Sequence, residues 1–111
     1  MALHHAEPGE IVDIRPLGAR IHETVNATLI RSKHLQVFRL LLPAGKVFKE
    51  HAVPGEITVQ CLEGEVEITS PGRTQVLAAG ELLYLGEGDL HGLKGLADAS
   101  VLVTVLLPEK A

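Results

Sequence analysis

Short aliphatic runs, broken by turn residues at near-even spacing, set the pattern of this chain from Ala27 onward. Thr28–Arg31 and Leu35–Leu42 flank the polar break Ser32-Lys33-His34, which predicts a hairpin. Pro43-Ala44-Gly45 closes that pair, Val47–His51 resumes an extended run, and Pro54-Gly55 makes the next corner. Ile57–Leu62, Val66–Thr69, Thr74–Leu77, Glu81–Leu85, Leu90–Leu93 and Ser100–Leu107 then read as further strands. Ser70-Pro71-Gly72-Arg73 has strong turn chemistry, because proline presets φ and glycine accepts positive φ. Pro16–Glu23 suits one or two helical turns, with proline at the start. Many short strands with little helix predict an all-β sandwich or barrel.

Two runs break the alternation expected of a half-solvated strand. Leu40-Leu41-Leu42 and Val101–Leu107 are apolar on both faces. Burial of the second face under another subunit predicts a homodimer; burial under the N-terminal segment is the other solution.

Composition narrows the class. The chain has 111 residues, one domain by size, and 46% are hydrophobic, enough for a core. Residues 1–26 read as an N-terminal segment and 27–107 as the barrel. Lys and Arg number 10 against 14 Asp and Glu, with no basic run, so nucleic acid is not an expected partner. No uncharged apolar run approaches the roughly 20 residues that span a bilayer. No charged start followed by an apolar run marks a signal peptide, and Cys61 stands alone, which fits a reducing compartment. A cytoplasmic location is the resulting expectation.

Two segments carry the candidate chemistry. In the first, five residues separate Gly45 from His51, one separates His51 from Val53, three lead to Ile57, and six lead to Gly64. In the second, five residues separate Gly80 from Gly86, one leads to Gly88, two to His91, and three to Gly95. These spacings resemble the two motifs of the cupin superfamily. The resemblance covers residues 35–107 and implies a double-stranded β-helix, or jelly-roll barrel, behind a short irregular or helical N-terminal segment. It also implies a site inside the barrel near its mouth. His51 and His91 match two of the family's four metal-ligand positions, whereas Val53 and Ile57 occupy the other two. Gly86 replaces the family's proline, and Gly95 its asparagine.

Neither Val53 nor Ile57 can donate an electron pair, and a catalytic metal generally takes three protein ligands. Strand parity turns Glu56 outward unless a bulge after Pro54-Gly55 re-aims it. Cys61 shares the inward parity of Ile57 and Val59, as a third ligand or as a small core residue. Lys49 shares the parity of His51, so it is expected to look into the same cavity, to counter an anion or to snorkel to the mouth. Parity alone leaves Tyr84 between lining the cavity and sealing the core.

Three readings follow. In the first, the barrel binds a small molecule among Lys49, His51, Val53, Ile57, Val59, Cys61 and His91, the histidines acting as hydrogen-bonding groups. In the second, His51 and His91 hold a divalent ion (iron, manganese, nickel or zinc) in a dioxygenase, lyase or isomerase, completed by Glu56, Cys61 or water. In the third, side chains fill the barrel, which is then a structural unit. No Gly-x-Ser-x-Gly elbow, Cys-x-x-Cys pair or phosphate loop is present.

Overall fold

The computed structural model describes residues 4–108; the first and last three residues of the single domain expected from the sequence lie outside that range. Nine strands form among the described residues: β1 (Ala27–Arg31), β2 (Leu35–Leu42), β3 (Val47–His51), β4 (Ile57–Glu63), β5 (Glu65–Ser70), β6 (Arg73–Ala78), β7 (Leu82–Leu85), β8 (His91–Gly95) and β9 (Ala99–Leu106). The helical turns expected near Pro16 are a 3-10 turn at Gly18–Glu23.

The antiparallel pairings nest. β5 pairs with β6, β4 with β7, β3 with β8 and β2 with β9. This is one long hairpin, turning at Pro71-Gly72, rolled up on itself. Pairings of β4 with β9 and β5 with β8 close the roll into two sheets, ordered β1-β2-β9-β4-β7 and β3-β8-β5-β6. Edges are shortened by this closure, which limits unpaired backbone. The inner faces supply the core: Leu42, Val59, Cys61, Val66, Ile68 and Val101 are all essentially inaccessible.

Gly64 shows why the motif glycines are needed. It turns β4 into β5 at φ +73, and a Cβ there would come within 3.0 Å of the Asp98 and Ala99 backbone.

The second face of β2 is covered by the chain itself. Val37, Arg39 and Leu41 point away from the barrel interior yet are buried. Arg39 Nη2 donates to the Arg15 carbonyl (3.1 Å), and Leu41 N–H donates to Asn26 Oδ1 (2.8 Å). On the far side of β9, the Glu63 carboxylate accepts from Leu17 N–H (2.8 Å), Gly18 N–H (2.9 Å) and Ser100 Oγ (2.5 Å). Residues 15–18 therefore cross this sheet as a strap held from β2 to β4.

Glu63 anchors that strap, and its loss has a definite signature. Burial raises its carboxyl pKa, but the hydrogen bonds from Ser100, Leu17 and Gly18, aided by Arg39, outweigh this and hold it below the ordinary 4.5. A carboxyl depressed on folding stabilises the protein above its unfolded pKa and loses that contribution as pH falls through the folded value. Glu63→Ala leaves Ser100, which is fully buried, without its acceptor. About 3 kcal/mol of stability should be lost at pH 7. Urea midpoints should show wild type losing stability below roughly pH 4.5, with the gap to the variant narrowing there. A gap independent of pH would refute the anchor.

Candidate functional site

Register brings the two histidines together. His51 ends β3, His91 begins β8, and the two are direct cross-strand partners. Opposed residues on one face of an antiparallel pair hold their side chains in contact. The ring centroids are 4.5 Å apart, tilted by 54°, and Phe48 meets His51 edge-on at 5.2 Å.

A bulge sets this geometry. Phe48 pairs with Leu93 and His51 with His91, so β3 spends three steps where β8 spends two. The extra residue lets both Phe48 and His51 face inward. Lys49, expected to share the parity of His51, is instead exposed and lines no part of the interior. Its side chain lies on the outer face, in a shallow depression with Glu50 and Glu67. Its carbonyl is what reaches the site, accepting from His51 Nδ1 at 3.3 Å.

His91 is held similarly. Asp89 Oδ2 accepts from Gly86 N–H (2.8 Å), which shapes the turn before β8. The Asp89 carbonyl then accepts from His91 Nδ1 at 3.1 Å. His91 is only 4% exposed. Burial pushes its imidazole below its ordinary pKa; the Asp89 carbonyl opposes this, and the neighbouring His51 adds to the depression.

The rings border a cavity of about 170 Å³ inside the barrel. Val53, Ile57 and Val59 line it as expected, joined by Phe38, Leu40, Phe48, Leu93, Val103 and Val105. Gln36 is the further polar residue on the wall, and inward-facing residues of β2 were not singled out by the motif spacings. Pro54, Gly55, Leu107 and Pro108 line one end, and three of them also border an open depression outside, so this end is the mouth. An interior filled by side chains, as the structural reading requires, is not what the barrel contains.

The two suspects for a third ligand, Glu56 and Cys61, stand elsewhere. Glu56 faces outward, as parity predicts, and accepts a hydrogen bond from the Tyr84 hydroxyl. Tyr84 is exposed and neither lines the cavity nor seals the core. Cys61 points inward but lies beyond the cavity wall, its Sγ donating to the Glu63 and Gly64 carbonyls at 3.3 and 3.5 Å. Burial raises its pKa, keeping it a thiol. Of the outlying histidines, His22 pairs with Asp98 at 2.8 Å and His4 with Glu10. No group of three His, Cys, Asp or Glu converges among the described residues. Two imidazoles do not make the three-ligand site of a catalytic metal.

No family model matches the sequence, and no curated protein does. Solved structures do match in shape. A cupin superfamily protein from Desulfitobacterium hafniense superposes at TM-score 0.76 with 19% identity, covering 93% of this chain and 100% of that one. A conserved protein of unknown function from Streptococcus pyogenes gives TM-score 0.75 with 23% identity, covering 99% and 97%. An RmlC-like cupin from Methanocaldococcus jannaschii with a double-stranded β-helix gives 0.73 with 16% identity, covering 89% and 94%. No helix of the described residues is long and apolar enough to cross a membrane. Nested pairing, motif spacing and these superpositions agree: the chain is a small domain with the cupin fold.

Proposed function

We propose that this domain binds a small molecule inside its barrel, with the ligand's polar group at His51 and His91 and its apolar part against Val53, Ile57 and Val59. The observation that carries this reading is the cavity: about 170 Å³, walled almost wholly by apolar side chains, with the two imidazoles as its main polar feature. Pockets of this make-up, apolar with a few placed polar groups, are the usual form of small-molecule sites. Lys49 and Cys61 are outside the wall and carry no part of the proposal.

Filling the space tests it. Val103 lines the cavity and is 4% exposed. Val103→Phe should fold with a stability change within roughly 1–3 kcal/mol and lose fragment binding, read by protein-observed NMR. Fragments that shift the spectrum of the filled variant as they shift wild type would show that binding lies elsewhere.

The metal-dependent enzyme reading keeps one supporting observation: both Nε2 atoms lack a hydrogen-bond partner among the described residues. Metal analysis of protein purified without a histidine tag decides between the two. Near-stoichiometric iron, manganese, nickel or zinc, lost in His51→Ala/His91→Ala, would put that reading first. The homodimer expectation rests on the exposed Leu82, Tyr84 and Leu106, since the covered face of β2 no longer asks for a partner.

A further inference from the structure

We infer that the site selects small neutral molecules carrying a hydrogen-bond donor, alcohols and phenols, over carboxylates of the same size. This rests on the binding reading above and adds the chemistry of the ligand's polar group. A backbone carbonyl only accepts. His51 Nδ1 faces the Lys49 carbonyl and His91 Nδ1 faces the Asp89 carbonyl, so in each ring Nδ1 carries the proton. In the neutral ring that leaves Nε2 with a lone pair and no hydrogen.

Neither Nε2 has a protein partner among the described residues. His91 is more than nine-tenths buried, and both rings border the cavity. The site thus presents two acceptors side by side in an apolar chamber. A hydroxyl satisfies one of them by donating its single hydrogen, and a retained water or a second hydroxyl donates to the other. A carboxylate brings further lone pairs against them and must also leave water for an apolar wall. An apolar molecule displaces the water that would otherwise satisfy the rings and leaves buried acceptors bare.

Size adds the second condition. Cavities of about 150 Å³ lined by Leu, Ile and Phe accept benzene. The space here, about 170 Å³, suits a six-membered ring with one small substituent.

Phenol, toluene and benzoate form the test, because one ring carries a donor, a methyl of equal size or a carboxylate. Binding to the full chain is measured by calorimetry and NMR at neutral pH with a chelator present. Phenol should bind at least about tenfold more tightly than toluene or benzoate, a difference of about 1.4 kcal/mol. The double variant His51→Leu/His91→Leu should erase that preference while toluene still binds, and either change alone should only weaken it. Long-range proton–nitrogen spectra of wild type should show both rings protonated at Nδ1, a readout that needs no variant to fold. Toluene or benzoate binding as well as phenol would overturn the donor rule and leave the pocket standing. Phenol binding that appears only with added divalent metal would overturn it in favour of the metal reading. Silence from all three probes would remove both this inference and the pocket reading beneath it.

Discussion

Replacing Gly95 by asparagine, the residue that the cupin pattern carries there, is expected to destabilise the domain by roughly 3 kcal/mol or more. The reason is backbone crowding. A Cβ on Gly95 would come within 3.0 Å of the carbonyl oxygens of Leu42 and Pro43. Those atoms cannot yield, because Gly95 is pinned on both sides. Its N–H donates to the Lys46 carbonyl at 2.9 Å, and its own carbonyl accepts from Gly45 N–H at 2.8 Å. The corner between β2 and β3 rests on this residue, and β3 carries His51. A small domain has only about 5–15 kcal/mol of stability, so a loss of this size lowers Tm by more than roughly 12 °C. Alanine already supplies the offending Cβ, so Gly95→Ala should lose nearly as much as Gly95→Asn. Denaturant midpoints check both. Asparagine tolerated within about 0.5 kcal/mol would mean that the corner is packed differently.

The same residue shows what the sequence could reveal. Turn chemistry and run lengths located every strand within a residue or two, because proline and glycine punctuate a β chain sharply. Parity then placed Ile57 and Val59 on the cavity wall and Glu56 outside it, since β4 pairs regularly with β9 from Ile57 to Cys61. Parity failed at Lys49, where the bulge in β3 inserts one residue. A trace of that bulge was present in the sequence. Gly92 interrupts β8, and a Cβ on it would press on Glu50, within the bulge (Cγ at 3.0 Å); a glycine inside a strand often marks such a close approach. The strap was less legible. Its hold depends on Glu63, Ser100 and Arg39, which are far apart in sequence and meet only once β2, β9 and β4 lie side by side. Alternation could say that the second face of β2 was covered, but not by what.

Restoring the two missing donors should create a metal site where wild type has none of comparable strength. Val53 and Ile57 border the same cavity as His51 and His91, so Val53→His/Ile57→Glu returns three imidazoles and a carboxylate to one chamber. Without metal the variant should be about 3 kcal/mol less stable than wild type. Ile57 is 3% exposed, and a carboxylate there leaves water without a partner. Zinc or nickel supplies the partner. A ligand that binds only the folded state stabilises by about 4 kcal/mol at a thousand times its Kd, so added metal should return the variant to wild-type stability or beyond. Wild type, with two donors, should shift little under the same titration, and Val53→His alone should fall between. That single variant adds no buried carboxylate, which keeps the test open if the double variant needs metal to fold. Thermal unfolding with and without metal gives the answer. A folded double variant whose Tm ignores zinc and nickel would show that these four side chains do not share one chamber. The register of β3 against β8 would then have to be redrawn. A large metal-dependent rise in the variants alone would show that the barrel keeps the geometry of a metal centre and that Val53 and Ile57 are what hold it to other chemistry.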